Sequence, residues 1–190
     1  MSLWRPWSTG ARPLTGGEVA MARQLFGTAI DYHQVRVHRR RRLPGMGDNA
    51  VAPFGAIYFP PHGYRDDFSA AGRAAKVWFM HEMTHVWQYQ RGLCVLCHGL
   101  LLGLQGGYGT KARAYGYDHV RDQGKTLGDF NLEQQGELIA HYFDACHLSS
   151  GDKVHARRRS LLPFYEAVLA DFLKDPLDAR TLPRTVHVPR

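Results

Sequence analysis

The pentapeptide His81-Glu82-Met83-Thr84-His85 constrains this chain more than any other segment. It follows the pattern H-E-x-x-H, and residues four apart on an α-helix lie one above the other on the same face. Two imidazoles in that arrangement can bind one Zn²⁺ ion from a single rigid element. Glu82 directly follows the first histidine, so its carboxylate can reach a metal-bound water and accept its proton. The pentapeptide therefore predicts a helix that carries a catalytic zinc site.

The residues on both sides of the pentapeptide favour a helix. Upstream, Ser69 is a candidate N-cap, and good helix formers follow it. Downstream, the helical pattern continues to Arg91 and meets Gly92, a candidate C′ glycine. We therefore predict that the motif lies in the middle of one long helix. Two core histidines held by hydrogen bonds are the alternative to a metal site.

A catalytic zinc requires a third protein ligand. The extended motif with a glycine and a third histidine is absent, because Gln88 and Arg91 occupy those two positions. A glutamate on a later helix is another solution, and Glu133 fits it within Glu133-Gln134-Gln135-Gly136-Glu137. Glu137, one helical turn further, would then fix the orientation of a ligand histidine through a hydrogen bond.

Other polar residues leave the ligand set open at this point. Glu137, His141 and His119 are alternative third ligands, and His141 shares a helix face with Glu137. An exposed carboxylate at the start of a helix is the alternative interpretation of Glu133. Peptide hydrolysis also needs a donor to the oxyanion, and tyrosine can supply one. The candidate donors are Tyr115, Tyr117 and Tyr142.

Length and local patterns predict one domain of the α+β class over residues 1–190. A chain of 190 residues can bury a hydrophobic core without disulfides or structural metal ions, and the hydrophobic fraction of 44% is ordinary for a globular protein. Thr15 and Glu18 have capping-box spacing, which predicts a helix that ends near Gly27. Segments 35–38 and 54–59 have strand patterns. Further elements are expected as a glycine-rich loop at 99–109, a helix at 129–143 and a last helix at 160–173.

This order of elements suits a minimal zincin-like domain, mainly helical with a small β-sheet. In such a domain the H-E-x-x-H helix packs against a second helix that carries the third metal ligand. We place the core of the domain at about residues 14–174 and a proline-punctuated tail at 175–190.

Cysteine usage and the apolar segments bear on the compartment. Three cysteines, an odd number, argue against a disulfide framework and for a reducing compartment, so we interpret Cys94 and Cys97 as buried structural thiols. The N-terminus lacks the apolar core of a signal peptide, and the apolar stretch 93–104 is too short to span a bilayer. We therefore expect a cytoplasmic protein without membrane insertion. Export by a non-classical secretion machine would leave no mark in the sequence.

The net charge of +7 is concentrated in two arginine runs, at 39–42 and 157–159. Such runs can bind phosphate backbones, and a DNA-associated metalloprotease is one interpretation of the chain. No aromatic stacking pattern accompanies these runs, however. We interpret them as solvated segments and expect no nucleic-acid partner.

Several segments together resemble one bacterial family. They are Leu14-Thr15-x-x-Glu18, Phe26-Gly27-x-x-Ile30-Asp31, Val35-Arg36-Val37, the strand at 54–60, the block at 81–88 and Glu133-Gln134-Gln135. Over about residues 14–145 the chain resembles bacterial Vgr-related proteins. More distantly, it is similar to a metallopeptidase domain associated with extracellular contractile injection systems. The resemblance implies a gluzincin-type zinc peptidase and a link to secretion or phage-tail-like machinery, and it leads us to expect an acidic residue where His141 stands.

Two functional hypotheses follow. The first is a zinc metallopeptidase acting on a peptide or protein substrate, in which Glu82 activates a water on zinc. Its metal ligands are His81, His85 and Glu133, and its supporting residues are Glu137, His141 and Tyr142. The second is a catalytically inactive, metal-stabilised adaptor domain of a contractile apparatus. It predicts a closed coordination sphere with a fourth protein ligand, such as His141 or a cysteine.

Overall fold

The computed structural model describes residues 10–39, 49–109 and 113–189. The helices and strands along the chain are β1 (Ala11–Pro13), α1 (Gly16–Phe26), β2 (Arg36–Arg39), β3 (Ile57–Phe59), α2 (Arg73–Gln90), α3 (Val95–Leu104), α4 (Leu132–His147), α5 (Lys153–Ser160) and α6 (Leu162–Lys174). Helices and a small sheet therefore share the described part of the chain, which confirms the predicted α+β class.

The sheet has the strand order β1-β2-β3. β1 runs antiparallel to β2 and β3 runs parallel to it, so that Val37 pairs with Arg12 on one side and Ile57 on the other. Val37 and Ile57 are fully buried, which confirms the strand predicted around residue 37. The strand predicted at 54–59 is shorter than expected. Gly55 has a φ of 75°, in the left-handed region, so extended backbone begins only after it.

The first helix begins where its capping residues predict. The Thr15 hydroxyl accepts a hydrogen bond from the Glu18 amide at 3.1 Å, and the Glu18 carboxylate accepts one from the Thr15 amide at 2.9 Å. This reciprocal pair satisfies two amides that the helix itself leaves unpaired. The helix ends at Phe26, and Gly27 follows with a φ of 51°.

The motif helix α2 is shorter at its N-terminus than predicted. Its N-cap is Gly72, so the prediction of Ser69 is wrong. The Ser69 hydroxyl donates to Asp67 at 2.6 Å and stabilises a turn ahead of the helix instead. At the other end Gly92 has a φ of 96°, which confirms the predicted glycine.

Two helical segments differ from the predictions. A glycine-rich loop was expected at 99–109, but α3 continues to Leu104, because Tyr108 packs against Gly99 and Gly103 and stabilises the helix across them. The last helix, predicted at 160–173, corresponds to α6, and the sequence did not predict the separate helix α5 before it. Pro163 lies in the first turn of α6, where a residue without an amide hydrogen is tolerated, so a new helix begins there.

The main core lies between α1, α2, α4 and α6. Trp87 of α2 stands at its centre, with ring centroids 6.4 Å from Phe26 and 5.1 Å from Phe172. Its indole nitrogen donates to the Pro176 carbonyl at 2.7 Å, so this buried polar group is satisfied. A smaller cluster beneath α3 contains Val95, Leu102, Ala114 and Leu132. Together these contacts hold α2 and α4 side by side.

The cysteines behave differently from the prediction. Cys94 and Cys97 form a disulfide and are exposed, so the interpretation as buried free thiols is wrong. Cys94 caps α3 and Cys97 lies in its first turn, which places their Cα atoms 5.3 Å apart, a distance that a disulfide bridges. Cys146 is free and exposed. Because disulfides persist in oxidising compartments, the expectation of a reducing compartment loses its support.

The arginine runs are only partly described. Residues 40–42 of the first run lie outside the described residues. In the second run, Arg158 is not simply solvated, because it donates to the buried carboxylate of Asp144 at 2.7 Å. Among the described residues, no helix is long and apolar enough to cross a membrane.

Candidate metal centre

Helix α2 places His81 and His85 on one face, one turn apart. Their Nε2 atoms lie 3.1 Å from each other, and each lies 3.2 Å from Oε2 of Glu133 on α4. All three side chains are buried. Two imidazole nitrogens and one carboxylate oxygen thus converge on one point, and the three residues form a group that could hold a metal ion.

A glycine on α4 allows this approach of the two helices. A Cβ atom on Gly136 would lie only 2.6 Å from Cε1 of His81. Asn131 sets the start of α4, because its side-chain oxygen accepts hydrogen bonds at 2.9 Å from the amides of Glu133 and Gln134. Glu133 therefore lies in the first turn of α4. Its carboxylate faces the two histidines, on the side of α4 where Gly136 has no side chain.

The outer nitrogen of His85 is fixed by an amide side chain. Nδ1 of His85 lies 2.8 Å from Oε1 of Gln88, and the amide nitrogen of Gln88 donates in turn to Gln135 at 3.0 Å and to the Leu132 carbonyl at 3.2 Å. An amide oxygen can only accept, so the proton of His85 is on Nδ1. When Nε2 carries no proton, its lone pair faces Glu133 and is available to a metal.

The outer nitrogen of His81 faces Glu137. Nδ1 of His81 lies 3.1 Å from Oε1 of Glu137, an ion-pair distance without the alignment of a hydrogen bond. The other oxygen of Glu137 is 3.0 Å from Nε2 of His141, and Nδ1 of His141 is 2.7 Å from the Tyr117 hydroxyl. Both ring nitrogens of His141 are thus occupied by neighbours other than the three converging residues.

A tyrosine that the sequence did not single out completes the surroundings of Glu133. The Tyr108 hydroxyl donates to Oε1 of Glu133 at 2.6 Å. Its ring lies 5.9 Å from that of Tyr115, which in turn lies 5.9 Å from the ring of His81. Burial and the Glu133 carboxylate raise the pKa of Tyr108, so the hydroxyl keeps its proton and acts as a donor. Tyr108 reaches Glu133 because the loop after α3 folds back toward α4, which the sequence alone does not indicate.

Known proteins resemble this chain in both sequence and fold. No family model matches the chain. The type VI secretion system spike protein VgrG2b of Pseudomonas aeruginosa is 39% identical over 148 residues, a region that covers 73% of this chain and 13% of that protein. The solved effector domain of Pseudomonas aeruginosa VgrG2b matches with a TM-score of 0.66 and 34% identity, over 86% of this chain and 88% of that domain.

The chain belongs to the family of the VgrG2b effector domain. The resemblance to Vgr-related proteins is therefore confirmed. The chain spans about an eighth of the whole VgrG2b spike protein, so the likeness concerns the effector domain and not the rest of the spike.

In this member of the VgrG2b effector family, the carboxylates of Glu133 and Glu137 favour a positive charge on the neighbouring histidines. Burial raises the pKa of Glu133, but the charge of His85 and hydrogen bonds with both histidines hold that pKa far below its usual range. Burial lowers the pKa of His81, whereas contacts with Glu133 and Glu137 outweigh burial and raise it well above its usual value. The same electrostatics favour a bound cation at the point of convergence.

Glu82 supplies a second carboxylate beside the three converging side chains. It is 2% exposed, and its Oε2 atom has no hydrogen-bond partner within the described part of the chain. Burial raises the pKa of Glu82, and the neighbouring histidines oppose that shift only in part. Buried carboxylate oxygens are rarely left unpaired. The donor set and this unpaired oxygen fit a cation with a bound water within reach of Glu82.

Two residues predicted as a ligand or an oxyanion donor contact other parts of the protein. The His119 ring lies 6.4 Å from the ring of Phe164. Tyr142 contacts Cys146 and stacks edge-on against His147 at 6.5 Å. Of the tyrosines predicted from the sequence, Tyr115 is the one whose ring neighbours a converging histidine, whereas Tyr108 makes the direct bond to Glu133.

Proposed function

We propose that this chain is a zinc-dependent peptidase of the zincin type that hydrolyses a peptide or protein substrate. The observation that carries this proposal is the convergence of His81, His85 and Glu133 on one point, with the unpaired Oε2 atom of Glu82 beside them. Two histidines and one glutamate are the ligand set of catalytic zinc in peptidases, and they leave one position for water. Calcium and magnesium instead prefer sites built from oxygen alone.

His81, His85 and Glu133 would hold the ion, which when bound lowers the pKa of its water and polarises a substrate carbonyl. The chain's own residues do the remaining work. Glu82 would accept a proton from the attacking water as the water oxygen bonds to the substrate carbonyl carbon, and would return that proton to the amine as the C–N bond breaks. Gln88 holds the proton of His85 on the outer nitrogen, and thereby keeps the inner nitrogen free to bind metal.

We further propose that the protein acts after export by a secretion system. VgrG2b is a type VI secretion system spike protein, and the solved structure that this chain resembles is the VgrG2b effector domain. The disulfide between Cys94 and Cys97 supports a place of action in an oxidising compartment outside the cytosol.

The adaptor hypothesis requires a fourth protein ligand, and the contacts of its candidates argue against it. His141 is engaged by Glu137 and Tyr117 at its two ring nitrogens. Cys94 and Cys97 are bonded to each other, and the free Cys146 is exposed and is not part of the converging group. An open position at the ion is therefore the arrangement that we propose.

The test compares Glu82→Gln with Glu166→Gln, which changes an exposed glutamate of α6 in the same way. Each purified protein is loaded with zinc and assayed on unfolded casein and on a quenched fluorescent peptide library. We expect Glu82→Gln to bind zinc like the unaltered protein and to lose roughly 100-fold or more in turnover, the range for removal of a general base. Glu166→Gln should behave like the unaltered protein. Equal turnover in Glu82→Gln and Glu166→Gln would exclude this mechanism.

A further inference from the structure

Helix α3 presents a row of leucines to the outside of the molecule. Leu100, Leu101 and Leu104 are 61%, 44% and 85% exposed, and we call these three residues the leucine face. At 3.6 residues per turn, Leu104 projects between Leu100 and Leu101, so the three side chains form one continuous apolar surface. Val95 and Leu102 lie on the opposite side of α3 and are buried in the protein.

The leucine face is directed away from the metal centre. Tyr108, whose hydroxyl bonds Glu133, packs against the inner side of α3, where Cβ atoms on Gly99 and Gly103 would each lie 3.6 Å from it. A substrate bound at the converging histidines therefore meets Tyr108 and the inner side of α3. The leucine face needs a different partner to cover it.

The charges around α3 indicate the chemistry of that partner. The segment 91–117 contains no acidic residue, and its basic residues are Arg91, Lys111 and Arg113. Arg91 follows the last residue of α2 just before α3 begins, and it is half-buried, with its Nε atom enclosed. The Arg113 guanidinium is exposed beside the other end of α3, 3.9 Å from where a Cβ on Gly106 would lie. Lys111 lies outside the described residues. Cations at both ends of an uncharged leucine helix are complementary to an anionic surface with an apolar interior.

We propose that α3 docks on the surface of an anionic phospholipid bilayer. The leucine face enters the boundary between headgroups and acyl chains, the exposed Arg113 contacts the lipid phosphates, and the half-buried Arg91 adds positive charge at the other end of α3. With 10 residues, α3 is too short to cross a bilayer and lies along its surface instead. A protein partner is less well matched, because the centres of protein interfaces favour aromatic side chains and the leucine face contains none.

The test uses the full chain and vesicles of phosphatidylglycerol and phosphatidylethanolamine, with phosphatidylcholine vesicles for comparison. We expect the unaltered protein to co-sediment with the anionic vesicles and much less with the neutral ones. Leu100→Asp/Leu104→Asp should reduce the bound fraction at least tenfold. The matched control is Val120→Asp/Val154→Asp, which adds the same charge at positions that are 66% and 54% exposed elsewhere. The control should bind like the unaltered protein, and circular dichroism checks that both variants are folded.

A second measurement reports insertion directly. An environment-sensitive dye is attached at Leu104→Cys, and separately at Val154→Cys, both in a Cys146→Ser background. Anionic vesicles should shift the emission of the dye at position 104 to the blue and leave position 154 unchanged.

Three results would overturn the proposal. The first is an absence of vesicle binding by the unaltered protein at low salt. The second is an equal loss of binding in the leucine variant and in its control, which would assign the binding to net charge alone. The third is a concentration-dependent dimer that the leucine variant abolishes without any vesicle binding, which would assign the leucine face to a second copy of the chain. None of these results depends on whether the metal centre hydrolyses peptides.

Discussion

The Tyr108 hydroxyl and the Glu133 carboxylate lie 2.6 Å apart, and this bond occupies the one carboxylate oxygen that does not face the histidines. Oε2 is the other oxygen of Glu133, and it lies 3.2 Å from both His81 and His85. Tyr108 thus fixes the rotation of the carboxylate. It also ties the loop after α3 to the first turn of α4.

Replacing Tyr108 with phenylalanine should weaken zinc binding. The ring would keep its packing against α3, but Glu133 would lose the donor that orients it. Loss of such a partner costs roughly 10–100-fold in metal affinity. Competition with a chromophoric chelator measures the effect, and Tyr89→Phe, at an exposed tyrosine near the end of α2, is the control. Equal zinc affinities for Tyr108→Phe and Tyr89→Phe would show that the bond does not position the ligand.

Gly136→Ala should disturb the metal centre through packing. The added methyl group would lie 2.6 Å from the His81 ring, so either the ring or α4 must move. Overpacking of this kind costs about 1–3 kcal/mol, offset by up to about 1 kcal/mol from the better helix propensity of alanine. We expect weakened zinc binding and a melting temperature unchanged or lower by a few degrees. Gly16→Ala, at the open first position of α1, is the matched control and should leave zinc binding intact.

Local patterns predicted those parts of the fold that a few neighbouring residues determine. The capping pair of α1 satisfies backbone amides within one turn, so Thr15 with Glu18 marks the start of that helix. The spacing of His81 and His85 likewise fixes their relation on α2, because a helix sets the geometry of residues four apart.

The remaining features depend on contacts between distant segments. Tyr108 meets Glu133 only because the smaller core cluster folds the loop after α3 back over α4. The same packing of Tyr108 accounts for a helix across Gly99 and Gly103, where glycine content indicated a loop. The disulfide was not predicted, because an odd number of cysteines does not tell which two of them are close in the fold. The first turn of α3 brings together Cys94, its N-cap, and Cys97.

Removing the disulfide should lower stability modestly. Cys94→Ser/Cys97→Ser opens a closed loop so short that chain entropy accounts for only about 2 kcal/mol. We expect a corresponding decrease in the free energy of unfolding in urea, with a similar decrease when the unaltered protein is treated with a reductant. Cys146→Ser changes the free, exposed cysteine and serves as the control. If the reductant does not alter the stability of the unaltered protein, the pair does not contribute to it.

Asp122 should contribute to the free energy of unfolding at neutral pH and lose this contribution in acid. Burial raises the pKa of Asp122, but hydrogen bonds from Arg121, the Asp118 amide and Lys125 lower it to about 2 from 3.8. A carboxylate whose pKa is lowered by folding stabilises the fold at any pH above its pKa in the unfolded chain. This contribution disappears as the pH falls from about 4 to about 2. Because Arg121 and Lys125 are half exposed, solvent screening limits it to about 1–2 kcal/mol.

The measurement for Asp122 is urea unfolding of Asp122→Asn at several pH values. Asp122→Asn should be less stable than the unaltered protein at pH 7, and the difference should shrink toward pH 2. Asp66→Asn, at an exposed aspartate, should show no such trend. A destabilisation by Asp122→Asn that stays constant between pH 7 and pH 2 would show that charge is not the cause.

The most direct test of the metal centre is elemental analysis of the purified protein after zinc is added and the excess removed. We predict about one zinc per chain in the unaltered protein and in Glu82→Gln, which changes the proton acceptor and no ligand. The same analysis should find zinc lost from His85→Ala and from Glu133→Ala, because each lacks one of the three converging donors. An unaltered protein without zinc, or a Glu133→Ala variant that retains it fully, would contradict the account.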